Sequence, residues 1–304
     1  MKIFLLSFMA CFFCLPSFSQ AEGRIDSDGS KLFYRVYGSG EPLLIINGGP
    51  GMNSDGFAGL AMILSKKYKT IIYDQRGTGR SVLKTTDSST ITIDLMIKDI
   101  ENLRQYLHID KWNILGHSFG GMLASWYATL YPGHIRSLIL SSSGGIDLGL
   151  LGYVSATINS KLAAAERESV NYWTNKINGG DTSHYARLQR GLALAPAYVF
   201  DKKNVPVIAE RLTQGNSRIN NLVWQNLQKI KFDCATKLSA AVFPVLIIQG
   251  KQDIVSAATA EKAHKAFINS TLVFLDHSVH YGWLDNPVSY FEAVNDFLSK
   301  TGRN

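Results

Sequence analysis

The sequence predicts an α/β fold in which a mainly parallel sheet carries helices on both faces. Short β-rich runs alternate with longer helical patterns, as in sheets whose strands are joined by crossover helices. Several runs, such as LLII at 43–46 and VLIIQ at 245–249, are almost continuously apolar, which is typical of strands buried on both faces. Hydrophobic residues make up 46% of the 304 residues and charged residues 18%, so the chain can bury a large core and is not predominantly disordered.

The elements of this predicted sheet layer follow one another along the two ends of the chain. Apolar and β-branched runs predict strands at 32–37, 43–46, 70–73, 112–115, 137–141, 245–249 and 272–275. Helical patterns lie between them at 93–107, 121–130, 257–267 and 288–298. The last helix follows Pro287, whose missing N–H suits a first helical turn.

The middle of the chain has helical patterns only. We predict helices at 155–176, 184–193, 205–214 and 217–231, separated by glycine-containing breaks. We interpret residues 147–240 as a helical cap, inserted into a core made of residues 22–146 and 241–304. Such a cap would cover the carboxyl edge of the sheet, where open α/β sheets bind their ligands.

The first residues have the pattern of a secretory signal peptide. Lys2 precedes an apolar stretch at 3–15, and small residues follow it, so we predict a signal peptide over 1–21 with cleavage after Ser19 or Ala21. The apolar stretch is shorter than the roughly 20 residues that cross a bilayer. We therefore expect a secreted or periplasmic protein with no stable membrane insertion after cleavage. Cys234 would be its single cysteine, so no internal disulfide could form.

The net charge of +7 is concentrated in one part of the chain. The predicted cap contains 12 Lys and Arg against 7 Asp and Glu, whereas the predicted core is almost balanced at 18 against 17. No basic helix and no basic stretch interleaved with aromatic residues is present, so nucleic-acid binding is not expected. The excess charge therefore belongs to the cap, where it disfavours a cationic substrate.

A sharp turn between a strand and a helix identifies Ser118 as the candidate nucleophile. Gly116-His117-Ser118-Phe119-Gly120 matches G-x-S-x-G, directly after the strand WNIL and directly before a helical run. Glycines flank the serine because the turn leaves no room for side chains, and its strained backbone exposes the hydroxyl.

A serine hydroxyl needs a base that is oriented by a carboxylate, and both candidates follow Ser118 in the chain. Asp253 comes just after the strand at 245–249 and is the preferred acid; Asp147, at the start of the cap, is its rival. His277 and His280 both follow the strand at 272–275. We prefer His280 as the base.

Two further segments follow strands at the same edge of the sheet. Asn47-Gly48-Gly49-Pro50-Gly51 can supply backbone N–H groups to a developing oxyanion, with a second donor at Phe119. The segment DQRGTGRS at 74–81 lacks the features of a phosphate loop or a dinucleotide fingerprint. We interpret it as a tight loop in which Asp74 and Arg76 brace neighbouring loops.

Taken together, the segments NGGPG, DQRGTGRS, GHSFGG, GKQD and HYGWLDNP resemble the α/β-hydrolase superfamily, and within it the proline iminopeptidase (prolyl aminopeptidase) group. The resemblance covers about residues 43–287 and implies an α/β-hydrolase fold. It puts the nucleophile, acid and base at Ser118, Asp253 and His280. It also implies release of an N-terminal residue, typically proline, from small peptides, without a metal or other cofactor.

Two positions depart from the pattern of this group. Asn47 stands where the group usually has His, but backbone groups would still provide the oxyanion donors. The well-studied peptidases hold the substrate amine with glutamates in a W-x-x-W-E segment, whereas the nearest segment here, Tyr172-Trp173-Thr174-Asn175, contains no Glu. Possible substitutes are Glu166, Glu168 and Glu210, although glutamates on helices are usually solvated.

We therefore predict a serine hydrolase, preferably an iminopeptidase-like exopeptidase acting on a small molecule or short peptide. Trp173, Tyr281 and Trp283 are the candidate substrate-binding residues. A carboxylesterase or another small-acyl hydrolase of the same fold is the alternative. A non-catalytic binding protein of this fold is a third hypothesis, but such a protein would normally lack one of the three catalytic residues.

Overall fold

A computed structural model describes residues 20–301, which form a nine-stranded sheet covered by helices. The order of the strands across the sheet is β1-β2-β4-β3-β6-β7-β8-β9, and β5 pairs with β2. The strands are β1 Gln20–Ser27, β2 Ser30–Tyr37, β3 Pro42–Ile46, β4 Lys69–Tyr73, β5 Val82–Leu83, β6 Trp112–His117, β7 Ile135–Ser141, β8 Val245–Gly250 and β9 Ser270–Leu275.

The sheet is antiparallel at one end and parallel through the rest. β2 pairs antiparallel with β1, β4 and β5, whereas β4, β3, β6, β7, β8 and β9 are joined only by parallel pairings. The six residues of β6 and of β8 are all buried, as their apolar runs predict. Because these strands are parallel, the loops that follow them emerge at one edge of the sheet.

Helices cover both faces, which confirms the predicted fold class. They are α1 Ala58–Leu64, α2 Ile93–Tyr106, α3 Phe119–Leu130, α4 Val154–Lys161, α5 Ala164–Asn178, α6 His184–Leu194, α7 Val205–Leu212, α8 Ser217–Lys229, α9 Ala235–Leu238, α10 Ala257–Ala266, α11 Gly282–Asp285 and α12 Pro287–Thr301. Successive residues of β3 point into different apolar clusters, Leu44 into one with α2 and α3 and Ile45 into one with α1 and α12. This alternation follows from the two-residue period of a strand.

Helices α4 to α9 lie between β7 and β8, and we call them the inserted helices. The division of the chain into a core and a cap with boundaries at 147 and 240 stays a prediction. The single helix predicted for 155–176 is wrong, because α4 ends at Lys161 and α5 begins at Ala164. Ala163 is extended between them, and its N–H donates to the Glu166 carboxylate at 2.7 Å, which caps the start of α5.

The sequence prediction missed β1, the two-residue strand β5 and the short helices α1, α9 and α11. β1 has weak sequence signals because it is an edge strand, and only its residues Ile25 and Ser27 are buried. Most of the predicted signal peptide lies outside the described residues, while its last two residues, Gln20 and Ala21, begin β1. No helix within residues 20–301 combines the length and the apolar character needed to span a bilayer.

A buried polar network joins α2 to α3, the helix that follows Ser118. The Glu101 carboxylate accepts hydrogen bonds from Arg104 at 2.6 and 3.0 Å, from the Tyr127 hydroxyl at 2.8 Å and from Gln105 at 3.0 Å, and His134 Nδ1 lies 3.1 Å from it. Burial alone would raise the pKa of Glu101, but these hydrogen bonds outweigh it and lower the pKa to about 2.

We predict that this network makes stability fall in acid. The unfolded chain takes up a proton at Glu101 near its ordinary pKa of 4.5, whereas the folded protein does so only near 2. The contribution is therefore complete above about pH 5 and is lost progressively as the pH falls towards 2. Urea unfolding between pH 6 and 3 should show a difference in unfolding free energy between the wild type and Glu101→Gln that shrinks with falling pH. Tyr127→Phe removes one donor to the carboxylate, so it should narrow the pH range over which this contribution to stability is lost. A difference in unfolding free energy that stays constant between pH 6 and 3 would contradict the prediction.

Candidate active site

The loops after β3, β6, β8 and β9, together with the first residue of α3, carry the predicted catalytic residues and oxyanion donors. Ser118 follows β6 directly, Asp253 follows β8 by three residues and His280 follows β9 by five. Since the carboxyl ends of parallel strands meet at one edge, residues that are 162 positions apart in sequence can share one site.

Ser118 occupies a strained backbone conformation between β6 and α3. Its φ of 54° and ψ of −120° lie outside the regions that residues with a side chain usually adopt. The turn is packed so closely that a Cβ at Gly120 would lie 2.1 Å from the Ile46 carbonyl oxygen, and one at Gly116 would lie 2.5 Å from the Gly120 carbonyl oxygen. The fixed backbone leaves the Ser118 side chain partly exposed between buried neighbours.

Asp253 and His280 are in direct contact. His280 Nδ1 lies 2.8 Å from Asp253 Oδ1, and both side chains are almost completely buried. The same Asp253 oxygen accepts the Val255 N–H at 3.1 Å, which fixes the carboxylate. A carboxylate at Nδ1 holds the proton on that nitrogen, so Nε2 is left as the basic nitrogen of the ring.

The rival acid and the rival base have other partners. Asp147 forms an ion pair with Lys262 and accepts the Gly149 N–H at 2.9 Å. The His277 ring packs against Phe200, with ring centroids 5.1 Å apart.

Aromatic residues surround the candidate base, His280, and include two of the three predicted substrate-binding residues. The His117 ring lies 4.7 Å from that of His280, 5.1 Å from Tyr281 and 4.9 Å from Trp283, all between centroids. Burial, with repulsion from His280 when that ring is protonated and from Arg211, lowers the pKa of His117 well below its ordinary value, so this histidine is neutral.

Trp173 is in a different environment. It lies on α5, and its ring centroid is 5.0 Å from Tyr172 and 5.6 Å from Tyr185. Its role in binding a substrate stays a prediction.

The segment after β3 packs directly against the serine. A Cβ at Gly48 would lie 2.7 Å from Ser118 Cβ. The N–H groups of Gly48 and Gly49 donate to no other group within residues 20–301. Phe119 is the first residue of α3, so its N–H has no acceptor in the helix. These three N–H groups are the predicted oxyanion donors.

Side chains hold the carbonyl groups of this segment. Gln75 Nε2 donates to the Asn47 carbonyl at 2.8 Å, and Asn47 Nδ2 donates to the carbonyls of Gly48 at 3.0 Å and Met52 at 3.1 Å. Asn47 therefore stabilises the segment, and does so from a fully buried position.

Asp74 and Arg76 brace neighbouring loops, in agreement with the sequence interpretation. Asp74 accepts the Ser54 N–H at 2.9 Å and its hydroxyl at 2.6 Å. Arg76 forms a fully buried bidentate pair with Asp99 of α2 at 2.6 and 2.8 Å. Both residues thus fix the loop after β4 rather than point at a substrate.

Asp285 ties the loop of the base to the inserted helices. One of its carboxylate oxygens accepts the N–H groups of Val279 and Phe200, each at 2.9 Å. In addition, the His280 N–H donates to the Tyr198 carbonyl at 3.1 Å. The position of His280 therefore depends on residues 198–200 as well as on the loop after β9.

The three glutamates considered for amine binding have other partners or are solvated. Glu166 caps α5, Glu210 lies 3.0 Å from exposed His184, and Glu168 is exposed. The inserted helices instead bring a cation to the site, because buried Arg211 of α7 donates to the Gly48 carbonyl at 2.9 Å.

Sequence reasoning missed Gln75, Tyr198 and Arg211. Gln75 stands between two residues that the DQRGTGRS segment had already singled out, so the motif offered a signal for it. Arg211 and Tyr198 lie among the inserted helices, and no local pattern indicates which of their residues face the site. Within residues 20–301, no group of three His, Cys, Asp or Glu side chains is arranged to hold a metal ion.

Comparisons with known proteins agree with this architecture. A family model described as the alpha/beta hydrolase fold matches residues 41–287, so the chain belongs to the α/β-hydrolase family. Within it, the chain is 38% identical over 301 residues to a proline iminopeptidase of Lactobacillus helveticus, covering 92% of this chain and 98% of that one. The chain is thus a hydrolase that resembles proline iminopeptidases, as the sequence motifs indicate.

Two solved structures share its fold. The proline iminopeptidase of Mycobacterium smegmatis has a TM-score of 0.72 at 20% identity, and the esterase RhEst1 of Rhodococcus sp. ECU1013 has a TM-score of 0.69 at 19% identity. Each comparison covers 92% of this chain and 98% of the other. At these identities the likeness concerns the fold alone.

We predict that a methyl group at Gly48 impairs the site without unfolding the protein. In Gly48→Ala the new Cβ would lie 2.7 Å from Ser118 Cβ and 2.9 Å from the His117 carbonyl oxygen, so the segment must move away from the serine. We expect kcat to fall by about tenfold to 100-fold, because displacements near 1 Å have effects of this size.

Gly59→Ala is the matched control for this substitution. A Cβ at Gly59, in α1, has no neighbour within 4 Å, so this variant should keep its activity and gain up to about 1 kcal/mol of stability. Thermal unfolding and steady-state kinetics of both variants check the prediction. A fully active Gly48→Ala would contradict it.

Proposed function

We propose that the chain is a serine hydrolase in which Ser118, His280 and Asp253 form the catalytic triad. His280 Nε2 removes the proton from Ser118 Oγ as that oxygen attacks an acyl carbonyl, and Asp253 stabilises the imidazolium ion that forms. The contact of 2.8 Å between His280 and Asp253 is the observation that carries this proposal. It also argues against a non-catalytic role, because a buried acid–base pair at the same sheet edge as a strained serine is typical of a catalytic site.

The tetrahedral intermediate carries its negative charge on the former carbonyl oxygen. We propose that the N–H groups of Phe119 and of the Gly48-Gly49 segment donate to this oxygen. His280 then passes its proton to the leaving group, and the acyl-enzyme at Ser118 is hydrolysed by water with His280 again acting as the base.

For the substrate, we propose a short peptide from which an N-terminal residue, typically proline, is released. The 38% identity to a proline iminopeptidase over nearly the whole chain supports this assignment. Tyr281 and Trp283, which pack around the two histidines, would provide apolar contacts for a pyrrolidine ring.

One observation favours esterase activity as a second candidate. The three glutamates considered for the substrate amine have other partners or face solvent, whereas the cation of Arg211 lies beside the Gly48-Gly49 segment. A cation at this place disfavours an ammonium group and has no such effect on a neutral ester.

A panel of three substrate classes separates the two candidates. An iminopeptidase should cleave a free-amine proline arylamide, and blocking the amine should abolish the cleavage. If short acyl esters are hydrolysed well and no amino-acid arylamide is, the esterase assignment is correct. With whichever substrate is cleaved, Ser118→Ala should lower kcat by roughly 10⁴-fold to 10⁶-fold. An unchanged rate in this variant would refute the serine mechanism.

We also propose that the protein is exported, on the basis of Lys2, the apolar stretch at 3–15 and the small residues that follow. Gln20 pairs with Tyr37 and Ala21 pairs with Val36, which favours cleavage after Ser19 over cleavage after Ala21. Cleavage after Ser19 leaves all of β1, whereas cleavage after Ala21 removes two of its paired residues.

The full-length gene product, expressed in a Gram-negative bacterium, tests the export proposal. We expect a periplasmic protein whose N-terminal sequence begins at Gln20. An uncleaved protein confined to the cytoplasm would contradict it.

A further inference from the structure

Arg211 is a buried cation that no carboxylate neutralises within residues 20–301. The residue is 3% exposed, and its guanidinium nitrogens donate to the carbonyls of Asn53 at 2.7 Å and Gly48 at 2.9 Å and to the side chain of Gln214. Asp55 and Asp74 lie near enough to influence its charge, but they form their ion pairs with Arg35 and Arg80 instead.

The segment after β3 is shaped to receive this side chain. A Cβ at Gly56 would lie 2.2 Å from Arg211 Cδ, so glycine at this position leaves room for the arginine stem. The guanidinium carbon lies 5.1 Å from the centre of the Phe57 ring, which offers its face to the cation. Arg211 thus reaches from α7 to the segment after β3, where residues 48–57 provide most of its contacts.

Stability alone does not explain such an arrangement. Removing a guanidinium ion from water costs several kcal/mol, and carbonyl groups compensate for this less well than a carboxylate would. The Arg211 Nε is also buried without a partner, so part of the cost is not recovered.

The contact with the Gly48 carbonyl has a consequence for the neighbouring N–H. The carbonyl of Gly48 and the N–H of Gly49 belong to one planar peptide unit and point in opposite directions. A donor that fixes the carbonyl therefore also fixes the direction of the N–H. Hydrogen bonding at the carbonyl further polarises the unit and makes its N–H a stronger donor.

We propose that Arg211 is a positioning residue that orients the Gly48–Gly49 peptide as part of the oxyanion hole. The preceding peptide unit is held in the same way from the sheet side, because Gln75 donates to the Asn47 carbonyl and so fixes the Gly48 N–H. The first of these peptide units is thus held by a residue of the loop after β4. The carbonyl of the second accepts from Asn47 Nδ2 of its own segment and from Arg211 of the inserted helices. This inference rests on the serine mechanism proposed above.

A positioning role makes a specific kinetic prediction. In Arg211→Met the cation is lost while the bulk of the side chain remains, so the folded protein should bind substrate normally and stabilise the oxyanion poorly. We expect kcat to fall by about tenfold to 100-fold, with KM changed by less than about threefold, for the substrate that the wild type cleaves best.

Inhibition by phenylboronic acid gives a second readout. This compound adds to the catalytic serine of serine hydrolases as a tetrahedral anion, so its affinity depends on the oxyanion donors. Its Ki should rise in Arg211→Met by about the same factor as kcat falls. Arg211→Lys keeps a cation but loses the planar guanidinium group and its several N–H donors. It should therefore recover part of the lost kcat and part of the lost affinity for phenylboronic acid. Arg211 would be a substrate-binding residue, and the proposal wrong, if KM rose while kcat and Ki stayed unchanged.

Arg187→Met is the matched control. Arg187 lies on α6 and donates to the Thr182 carbonyl at 2.6 Å, away from the segment after β3. The Arg187→Met variant should keep the wild-type kcat, KM and Ki. Thermal unfolding of each variant shows whether it is folded. If Arg211→Met does not fold, a folded Arg211→Lys with wild-type kcat and Ki assigns Arg211 a structural role only, and overturns the proposal.

Failure of the underlying mechanism gives a different result. In that case phenylboronic acid would not inhibit the wild type, or Ser118→Ala would keep its activity. Inhibition of the wild type, together with equal Ki values in the wild type and a folded Arg211→Met, would refute the role of Arg211 alone.

Discussion

Two backbone segments approach each other at Ser118 more closely than side chains would allow, and the geometry of the site depends on this contact. The turn after β6 touches the end of β3 at Gly120, where an added Cβ would lie 2.1 Å from the Ile46 carbonyl oxygen. Gly48 in turn touches the serine itself. Because β3 and β6 are neighbouring parallel strands, the sheet brings the candidate nucleophile and the candidate oxyanion donors together through its hydrogen bonding. Strain at Ser118 is maintained by the same packing.

The sheet provides the framework of the site, and the inserted helices add hydrogen bonds to it. Around the segment after β3, α7 contributes Arg211, and the start of α8 contributes Asn216 and Asn220, which donate to the carbonyls of Gly51 and Pro50, each at 3.0 Å. Around the base, the Tyr198 carbonyl accepts the His280 N–H. Sequence changes in the inserted helices can therefore alter catalysis as well as the choice of substrate.

The sequence was informative where chemistry requires unusual local geometry. The glycines around Ser118 and the strand before it sufficed to predict the turn, and the order of Asp253 and His280 along parallel strands predicted their meeting. Arg211 could not be predicted in the same way, since its partners are backbone carbonyls more than 150 residues away. The break between α4 and α5 was missed because Leu162 and Ala163 are ordinary helix residues, and only the Glu166 cap reveals it. β1 carried too few apolar residues to stand out as an edge strand.

The central claim is that Ser118 is made nucleophilic by the His280–Asp253 pair, and active-site labelling tests it most directly. A fluorophosphonate reacts covalently with a serine only where the hydroxyl is activated. Peptide mass spectrometry after labelling should find one adduct, on Ser118, and the labelling rate should fall by orders of magnitude in His280→Ala, which should remain folded. An adduct on a different serine, or a labelling rate that is unchanged without His280, would contradict the account.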